Sequence, residues 1–409
     1  MSLSTIEEAV AALRGGDFVV VADDEDRENE GDLILAAEHA TEETIAFLLR
    51  HTSGIVCAAL EKSVAEYLDL APMVSTNTEA MGTAFTVSVD ARVGTTTGIS
   101  SADRATTLRA LAAARTRADD LRRPGHVFPL VARPGGVLKR AGHTEAAVDL
   151  TRLAGCIPVG VLCEIMSEDR RSVLRRVDLE SFAIKHRLPM ITIADLIRHR
   201  RTHERLVEHV SEARVPTSAG VMTCHVYRSL LDGIEHLALV SGDVRGQKNV
   251  LVRVHSECLT GDVFRSLRCD CGPQLEIALA RVALETGVVV YLRGHEGRGI
   301  GLGHKIRAYA LQDEGRDTVE ANVDLGLPID SREYGVGAQI LADLGLTSIR
   351  VLSNNPGKFG GLEGFGLSIV ERVPLIVPSN PENVRYLETK RAKLQHSLPL
   401  ASTIVKAGE

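Results

Sequence analysis

Short runs rich in valine and isoleucine alternate along this chain with stretches of helical periodicity, and this alternation constrains the fold more than any other feature. The strand-like runs lie at residues 18–22, 85–89, 250–254, 288–292 and 349–352. Apolar strands separated by helical segments are typical of sheets covered by helices. The sequence therefore predicts an α/β fold, layered in the α+β manner, in which each domain is a mixed β-sheet covered by helices.

The pattern breaks near the middle of the chain, which indicates two domains. Residues 193–210 are typical of one helix that becomes basic, and residues 211–220 then lose apolar periodicity and contain both Pro and Gly. A length of 409 residues also favours two or three domains. We predict domains over residues 1–204 and 205–409, with a linker at about 205–220. The basic run is either a solvated helix surface, the more ordinary interpretation, or a phosphate-binding face.

Local signals place several helices. A capping box formed by Ser4 and Glu7 predicts a helix that ends at Gly15, and Thr41 predicts a second helix that runs to about residue 50. Residues 273–283 predict another helix. From about residue 383 the pattern indicates an exposed helix followed by a loose tail.

Charge and composition argue against several classes of partner. The 47 basic and 54 acidic residues give a net charge of −7, and the chain has 8 Phe, 6 Tyr and no Trp, which disfavours a nucleic-acid binder. No apolar run approaches the ~18 residues of a membrane span, and the first residues lack the features of a signal peptide. We expect a cytoplasmic protein without a nucleic-acid or membrane partner. Its 7 cysteines then predict reduced thiols or metal ligands and not disulfides.

Residues 23–32, directly after the first strand-like run, concentrate negative charge. They contain seven carboxylates, one arginine and one glycine. Carboxylates this close together repel one another and raise each other's pKa values, unless a cation lies between them. The segment is therefore either a solvated acidic loop or a site for a hard cation such as Mg²⁺, which prefers carboxylate oxygens.

Two Gly-His steps add further polar chemistry to the N-terminal half. Arg123-Pro-Gly-His126 holds a histidine behind a rigid turn, and Arg140-Ala-Gly-His-Thr-Glu145 offers a cation, a histidine, a hydroxyl and a carboxylate within six residues. A lone histidine is more often structural. The arginine and threonine beside a glycine, however, are suited to a phosphate group that approaches the backbone closely.

Together, the acidic loop and the two Gly-His motifs resemble those of 3,4-dihydroxy-2-butanone 4-phosphate synthase, and the resemblance extends over about residues 1–204. It implies conversion of D-ribulose 5-phosphate to L-3,4-dihydroxy-2-butanone 4-phosphate and formate, with Mg²⁺ or Mn²⁺ as the cofactor. It further implies that Glu28 and His143 hold the metal and that His126 and Glu164 are catalytic. The implied substrate-binding residues are Arg27, Glu28, Asp32, Arg140, Ala141, Gly142, His143, Thr144 and Glu164.

Two details of this half leave alternatives open. Cys57 lies where the family also has a cysteine near the site, but a small buried thiol is at least as ordinary an interpretation. After Glu164, the family carries a short Asp-Gly-Thr-Met-Ala-Arg type of segment, whereas this chain has Asp169-Arg-Arg-Ser-Val-Leu-Arg-Arg176. The glycine is lost, and Arg170 and Arg171 are additional.

Three cysteines in the C-terminal half have metal-ligand spacing. Cys258, Cys269 and Cys271 lie within fourteen residues, and no fourth cysteine is nearby. His255 is poorly placed to complete the same tetrahedron. Three thiolates with one open position are typical of catalytic zinc, which lowers the pKa of a bound water to ~7. The alternative is three buried structural thiols.

Three polar stretches accompany the cysteines. Residues 293–301 are rich in glycine and include Arg298, residues 327–332 place Asp330 two positions from Arg332, and residues 352–358 form a polar turn that ends in Lys358. Glycine spacing alone is a weak signal. A glycine-rich turn before a helix can nevertheless bind phosphate groups through its backbone N–H groups.

The cysteine motif and these stretches resemble GTP cyclohydrolase II over about residues 212–396. The resemblance implies hydrolysis of GTP to 2,5-diamino-6-ribosylamino-4(3H)-pyrimidinone 5-phosphate, formate and pyrophosphate, with Zn²⁺ and Mg²⁺. It implies that Cys258, Cys269 and Cys271 bind zinc, whose hydroxide attacks the guanine ring. The implied GTP-binding residues are Arg253, Val254, His255, Ser256, Glu257, Gln274, Glu296, Gly297, Arg298, Thr318, Ser353 and Lys358.

The resemblance also implies that Asp330 is the general base and that Arg332 is the nucleophile on the α-phosphorus. A guanidinium with a pKa above 12 is a poor nucleophile, so a transition-state clamp is the rival role for Arg332. Tyr309 matches the position tied to full opening of the guanine ring.

Both resemblances together predict a bifunctional enzyme of riboflavin biosynthesis, and since both families are homodimers, they imply a homodimer. One alternative, motivated by residues 169–176, is GTP cyclohydrolase II activity alone with an inactive N-terminal half. A second is a GTP-binding sensor without turnover, and the intact cysteines, Asp330 and Arg332 argue against it.

Overall fold

The computed structural model describes residues 3–24, 27–79, 81–327, 332, 334–355 and 367–393, except for the side chains of residues 319, 323 and 393. The chain divides into two compact units, Met1–His203 and Glu204–Glu409. Each unit contains one seven-stranded sheet that combines parallel and antiparallel strands with helices. The fold class predicted from the sequence is confirmed in both units.

The first unit follows an irregular strand order, β4-β5-β3-β6-β2-β1-β7. Its strands are β1 Val19–Ala22, β2 Gly31–Ala36, β3 Cys57–Leu60, β4 Val89–Ala91, β5 Leu121–Val131, β6 Val159–Glu164 and β7 Met190–Thr192. Its helices are α1 Ile6–Gly15, α2 Glu42–His51, α3 Lys62–Tyr67, α4 Ser101–Ala112, α5 His143–Leu153, α6 Arg176–His186 and α7 Ile193–His203.

Both faces of this first sheet are covered. Val20, Leu33 and Leu35 belong to one apolar cluster, whereas Val19 and Ile34 belong to another. Since successive side chains of a strand point to opposite faces, the two clusters are the two layers of core on either side of the sheet. This explains why the strands are continuous apolar runs in the sequence and not alternating ones.

Pairing within the sheet brings four strand ends and an interior part of β5 to one edge. The end of β1 pairs with the start of β2 through Ala22 and Gly31, and Asp32 lies opposite Glu164 at the end of β6. Cys57, at the start of β3, is opposite Leu162 of β6 and Phe128 of β5. The acidic loop, Glu164 and the His126 region therefore meet at the same edge.

The second unit has the strand order β14-β13-β11-β12-β10-β9-β8. Its strands are β8 Val207–Thr217, β9 Gly220–Ser229, β10 Glu235–Ser241, β11 Val250–Ser256, β12 Gly287–Leu292, β13 Ser348–Leu352 and β14 Ser368–Val373. Its described helices are α8 Leu259–Asp262, α9 Cys271–Leu284, α10 Leu302–Asp313, α11 Thr318–Asp324, α12 Gly335–Asp343 and α13 Val384–Lys393.

Four neighbouring strands of this second sheet, β14, β13, β11 and β12, are parallel. The segments that follow β11, β12 and β13 consequently leave the sheet at the same edge. These segments contain Cys258, Arg298 and Ser353, respectively. Crevices outside the carboxyl ends of parallel strands are common ligand sites.

The predicted linker is wrong. Residues 207–217 form β8, which pairs along its length with β9, and the helix expected over residues 193–210 ends at His203. Strand β8 is the edge of its sheet and is mostly exposed, which explains its polar sequence. The basic end of α7 is not wholly a solvated surface either, because Arg200 is buried and its Nη1 lies 2.6 Å from Asp149 Oδ2.

Other local expectations also need correction. The capping box of α1 is formed by Thr5 and Glu8 instead of Ser4 and Glu7. Phe85 and Thr86 form only isolated bridges, and the strand β4 begins at Val89. Helix α13 is not simply exposed, because Leu387 and Lys390 are buried. The expected tail lies outside the described residues. Among those residues, no helix is long and apolar enough to cross a membrane.

Candidate active sites

The acidic loop of the first unit brings two carboxylates and an imidazole together. Asp23, Glu28 and His143 each offer a ligand atom, and these atoms all lie within 4.8 Å of one another. Asp23 is held by the loop itself, since its carboxylate accepts hydrogen bonds from the backbone N–H groups of Glu28 and Glu30 at 3.2 and 2.8 Å. The Nη1 atom of Arg27 lies 2.8 Å from Asp23 Oδ2 and 2.5 Å from Glu28 Oε2, so Arg27 balances part of this charge.

His143 is the first residue of α5 and is 7 % exposed. Its Nε2 lies 3.1 Å from the carbonyl oxygen of Val21, which can only accept a hydrogen bond, so Nε2 carries the proton and Nδ1 has the lone pair. Nδ1 lies 3.9 Å from Asp32 Oδ1. Burial lowers the pKa of His143, which favours the neutral imidazole that metal ligation requires.

Asp32 is the clearest sign that this cluster fits a cation. It is 3 % exposed, and its Oδ1 has no hydrogen-bond partner among the described residues. Burial, followed by the charge of Glu164 and the acidic loop, raises the pKa of Asp32 well above its ordinary value. A buried carboxylate beside other carboxylates is costly unless a positive charge compensates it. The donor set of carboxylates and one imidazole suits Mg²⁺ or Mn²⁺.

His126 is positioned by an aspartate that the sequence did not single out. Its Nδ1 lies 2.7 Å from Asp90 Oδ2, and its backbone N–H donates to Asp90 Oδ1 at 2.9 Å. The carboxylate fixes the ring and leaves Nε2 for proton transfer. Gly98 packs against the pair, because a Cβ there would come within 2.0 Å of Asp90 Oδ2 and 2.6 Å of His126 Nδ1.

Glu164, at the end of β6, accepts a hydrogen bond from the Ser53 hydroxyl at 2.6 Å. Nearby Cys57 is buried, and burial raises the pKa of its thiol well above the ordinary value. An un-ionised thiol is a poor nucleophile, which favours the structural interpretation of this cysteine. Arg170 lies close to this region, because its Nη2 donates to the carbonyl oxygen of Thr52 at 2.7 Å.

An ion pair joins the two ends of the segment formed by residues 140–145. Arg140 Nη1 lies 2.7 Å from the buried Glu145 Oε2, and its Nη2 donates to the Thr83 hydroxyl at 3.0 Å. Gly142 caps α5, and Thr144 is buried in the first turn of this helix. The predicted residues Arg140 to Thr144 thus surround the start of α5, where the helix dipole favours an anion.

In the second unit, the three cysteines converge as predicted. Their sulfur atoms lie within 4.8 Å of one another, and Cys258 Sγ is 3.8 Å from Cys269 Sγ. Zinc–sulfur bonds of ~2.3 Å in a tetrahedron require sulfur atoms about 3.8 Å apart. Gly261 makes room for the group, since a Cβ there would lie 2.7 Å from Cys269 Sγ and 3.1 Å from Cys258 Sγ. The geometry therefore fits zinc.

A buried lysine adjoins the cysteines. Lys305 Nζ donates to Cys258 Sγ at 3.2 Å, Glu296 Oε1 at 2.6 Å and Thr260 Oγ1 at 2.7 Å. Burial alone would lower the pKa of Lys305, but the hydrogen bond to Glu296 and the charge of Cys258 raise it. Hydrogen bonds from Cys269 and Cys271, together with Lys305, lower the pKa of Cys258. A cation beside Cys258 favours the ionised, metal-binding form of this thiol.

The cysteines lie in a cleft of about 1100 Å³ that is open to solvent. Ten of the predicted residues that are not cysteines line it: Arg253, His255, Ser256, Glu257, Gln274, Gly297, Arg298, Thr318, Arg332 and Ser353. Tyr309 lines it too, with the guanidinium of Arg268 5.0 Å from its ring centre. Val254 and Glu296 are predicted residues outside this lining; Val254 is buried in the core, and Glu296 holds Lys305. Asp330 and Lys358 lie outside the described residues.

A chain of hydrogen bonds fixes Asp270, the residue between Cys269 and Cys271. Lys390 Nζ lies 2.6 Å from Asp270 Oδ1, and Gln274 Nε2 donates to Asp270 Oδ2 at 2.6 Å. Arg253 Nη2 in turn donates to Gln274 Oε1 at 2.7 Å. Burial would raise the pKa of Asp270, but the ammonium group of Lys390 holds it below the ordinary value. Helix α13 is therefore part of the cleft wall.

Sequence reasoning missed several residues that these two sites use. Asp90, Ser53, Lys305 and Lys390 each reach the site from a distant part of the chain. Asp90 gave a weak signal, since it is a lone carboxylate in an apolar stretch, and Asp270 lies between two of the three cysteines. Nothing in the local sequence of Lys390 indicated its role.

Two family models match the chain in succession. The model of 3,4-dihydroxy-2-butanone 4-phosphate synthase matches residues 7–199, and the model of GTP cyclohydrolase II matches residues 208–374.

Close relatives extend over nearly the full chain. The "Riboflavin biosynthesis protein RibBA" of Nocardia farcinica is 61 % identical over 396 residues, which are 96 % of each chain. The "Bifunctional riboflavin biosynthesis protein RIBA 1, chloroplastic" of Arabidopsis thaliana is 58 % identical over 96 % of this chain and 73 % of its own length. The crystal structure of RibBX, described as a two-domain 3,4-dihydroxy-2-butanone 4-phosphate synthase from A. baumannii, is 39 % identical and covers 90 % of this chain and 99 % of its own, with a TM-score of 0.68.

Proposed function

This chain belongs to the family of bifunctional riboflavin biosynthesis proteins, which joins a 3,4-dihydroxy-2-butanone 4-phosphate synthase to a GTP cyclohydrolase II, and we propose that each unit performs the reaction of its own family. The first unit converts D-ribulose 5-phosphate to L-3,4-dihydroxy-2-butanone 4-phosphate and formate. The second hydrolyses GTP to 2,5-diamino-6-ribosylamino-4(3H)-pyrimidinone 5-phosphate, formate and pyrophosphate. The family assignment predicted from the sequence is confirmed, and GTP cyclohydrolase II alone is not favoured.

The convergence of Asp23, Glu28 and His143 beside the buried Asp32 supports the first activity. Glu28 and His143 hold Mg²⁺ or Mn²⁺, with Asp23 as a further candidate ligand. The ion would acidify a carbon-bound hydrogen of the sugar and offset the negative charge that develops on its oxygens. Arg27 and Asp32 face the substrate, and residues 140–144 lie on the side of its phosphate.

His126 and Glu164 move protons in this reaction. Asp90 holds the His126 ring so that Nε2 exchanges the proton, and Ser53 orients the Glu164 carboxylate. An enolisation followed by loss of water requires one group that accepts a proton and another that returns it. Two groups that are positioned by separate partners meet that requirement.

The cysteine trio in a cleft rich in cations supports the second activity. Cys258, Cys269 and Cys271 hold zinc, which would lower the pKa of a water in its open position and supply a nucleophile at neutral pH. Arg253, Arg298 and Thr318 line the space for GTP, whose triphosphate brings Mg²⁺ with it. We assign Asp330 as the general base.

Arg332 acts as a clamp on the triphosphate instead of as a nucleophile. It lines the cleft, and its guanidinium carbon lies over the Tyr334 ring, 5.6 Å from the ring centre. A guanidinium stays protonated in proteins, which makes it a poor nucleophile and a good partner for phosphate oxygens. The assembly that the family implies is a homodimer.

The test of the first activity uses D-ribulose 5-phosphate labelled with ¹³C at the carbon that is lost, so that its formate differs from formate made from GTP. With Mg²⁺ and without GTP, we expect labelled formate from the wild type and a loss of at least about 100-fold in Glu28→Ala, because the ion loses a ligand. Asp24→Ala, in the same loop but exposed, is the matched control and should stay active. No labelled formate from wild type with intact GTP turnover would refute this activity.

The test of the second activity compares Cys258→Ser with Cys224→Ser. Cys224 lies on β9, outside the cleft lining. We expect Cys258→Ser to lose bound zinc and GTP-dependent formate and pyrophosphate, whereas Cys224→Ser keeps all three. Synthase activity serves as the internal control for folding in both variants. Zinc-loaded wild type that binds GTP without consuming it would favour the sensor instead.

A further inference from the structure

A third group of metal-ligand atoms lies in the second unit, away from the cleft. It consists of His209 and Glu212 on β8 and His225 on β9, and their ligand atoms all lie within 4.8 Å of one another. None of the three lines the cleft. They belong to the edge hairpin that begins the second unit.

An irregularity in β8 brings the three side chains to one face. The pairing of β8 with β9 shifts between His209 and Ser211, so that His209 is opposite Tyr227 and Glu212 is opposite His225. In a regular strand, residues three apart point to opposite faces. The extra residue of a β-bulge reverses that relation, and His209 and Glu212 therefore point the same way.

The three ligand atoms have the spacing of a coordination sphere. His225 Nδ1 is 3.0 Å from Glu212 Oε2 and 3.3 Å from His209 Nε2, and His209 Nε2 is 3.9 Å from Glu212 Oε2. Metal–ligand bonds of ~2.1 Å place neighbouring ligands about 3.0–3.4 Å apart in octahedral or tetrahedral geometry. Two of the three separations fall in that range, and the third requires a small movement of one exposed side chain.

We propose that His209, Glu212 and His225 bind a divalent transition-metal ion of the zinc class. Two imidazoles and one carboxylate are a donor set that favours Zn²⁺, Co²⁺ or Ni²⁺ over Mg²⁺, whose preferred ligands are all oxygen atoms. The side chain of Glu212 is 58 % exposed and that of His225 is 16 % exposed. The ion can therefore enter from solvent, and water completes its coordination.

Hydrogen bonding alone accounts less well for this arrangement. His225 Nδ1 has at most one proton, yet it faces both a carboxylate oxygen and the imidazole nitrogen of His209 within 3.3 Å. If His225 Nδ1 donates to Glu212, the lone pair of His209 Nε2 is directed at the same point, and if His209 Nε2 donates to His225 Nδ1, the carboxylate oxygen is directed there. A cation at that point interacts favourably with all three atoms.

The ion would join β8 to β9 at the bulge. Among the described residues, β8 is paired on one side only, so its other edge lacks the support that a neighbouring strand gives. A metal bound by both strands at an irregular position stabilises the hairpin without contributing to either reaction. GTP and ribulose 5-phosphate turnover should therefore not depend on it.

The experiment counts zinc in the full chain in the background of Cys258→Ser, which disables the cleft site. After chelation and dialysis against Zn²⁺ at micromolar concentration, we expect this protein to retain one more equivalent than its His225→Ala or His209→Gln derivatives. Glu212→Gln should bind at least about tenfold more weakly. Glu208→Gln, a neighbouring carboxylate on β8 that lies 3.8 Å from Arg228, is the matched control and should keep the ion.

Cobalt distinguishes this site from the cleft, because thiolate ligands give intense near-ultraviolet charge-transfer bands and imidazole and carboxylate ligands do not. Hydrogen exchange supplies a second measurement: residues 207–217 should exchange at least about threefold more slowly with Zn²⁺, and His225→Ala should abolish the difference. Equal zinc content in the parent and in both histidine variants would overturn the proposal, as would cobalt bands that require sulfur. His209→Gln guards against misfolding, because it preserves much of the side chain.

Discussion

The two sites occupy the same kind of place, one edge of a seven-stranded mixed sheet, but they have opposite charges. The first gathers Asp23, Glu28 and Asp32 around a neutral imidazole, with Arg27 as the nearby cation. The second places Cys258 beside Lys305 in a cleft that arginines line. The carboxylates of the first site suit a hard cation, and the cations of the second suit the triphosphate that we propose as its ligand.

The two sites also differ in whether their buried charged side chains are paired. In the first, Asp32 has an oxygen without a hydrogen-bond partner among the described residues, and burial, followed by the neighbouring carboxylates, raises its pKa. In the second, Lys305 pairs with Glu296 and Lys390 pairs with Asp270, each at 2.6 Å. The buried Asp32 of the first site therefore favours an added cation, whereas the buried lysines of the second site are paired with carboxylates of the protein itself.

Among the substitutions that distinguish the two sites, Asp90→Asn should have the largest effect, which is on synthase activity alone. The amide preserves the shape of Asp90 but cannot compensate a protonated His126, so proton transfer should slow. We predict a fall in synthase kcat of about 10²–10⁴-fold with little change in KM, because the residue positions a catalytic group and does not bind substrate. The pH profile of kcat should shift as well. GTP turnover in the same chain is the internal control, and an unchanged synthase kcat would contradict the role.

Lys390→Met tests the balance of the second site. Removal of the ammonium leaves Asp270 buried without its partner, a change that typically costs about 3–5 kcal/mol. Since Asp270 lies between Cys269 and Cys271, we expect GTP turnover to fall about 10–100-fold and zinc to dissociate more readily.

Steady-state kinetics and zinc titration measure both effects of Lys390→Met. The double variant Asp270→Asn/Lys390→Met should recover part of the loss, because no uncompensated charge remains. Synthase activity should be unaffected. A double variant as impaired as the single one would mean that Lys390 acts on GTP directly.

Asp32→Asn removes a buried negative charge from the first site, and the stability of the folded protein shows what that charge costs. The folded protein binds the proton of Asp32 at higher pH than the unfolded chain does, so stability falls as pH rises from the ordinary aspartate range through the raised pKa. Above that range the penalty is constant. Without metal at pH 8, the variant should melt a few degrees higher than the wild type, and added Mg²⁺ should stabilise it less.

Calorimetry with and without Mg²⁺ measures both midpoints, and Asp24→Asn, an exposed carboxylate of the same loop, serves as the control. Synthase activity of Asp32→Asn should be strongly reduced even though the protein is more stable. A lower midpoint in the absence of metal would contradict the electrostatic account of this site.

The smallest effect is expected from Arg170→Gly, which restores the residue type of the family pattern. Arg170 has a φ of +58°, a conformation that costs about 1–2 kcal/mol for a residue with a Cβ. Glycine removes this strain but loses the hydrogen bonds to Leu49 and Thr52. These effects oppose each other, so synthase kcat should change less than about threefold, as in the exposed control Arg171→Ala. A large gain of activity would revive the idea of an impaired first unit.

The sequence was most informative where chemistry is local. The cysteine trio, the acidic loop and the Gly-His motifs each lie within a short segment, and the structure brings the ligand atoms of the trio together as predicted. The linker was wrong because an edge strand with two exposed faces lacks the apolar pattern that identifies buried strands. Helix α13 was assigned to the surface because its few buried residues are hidden among many charged ones.

By itself the sequence determined the two mixed-sheet units and their families, because these depend on periodicity and short motifs. Only the tertiary structure decided which distant groups position the site residues: Asp90 reaches His126 across 36 residues, and Lys390 reaches Asp270 across 120. It also decided that a bulge directs His209 and Glu212 to one face. Such partners depend on strand order, register and burial, which arise from packing between distant segments and leave no local pattern in the chain.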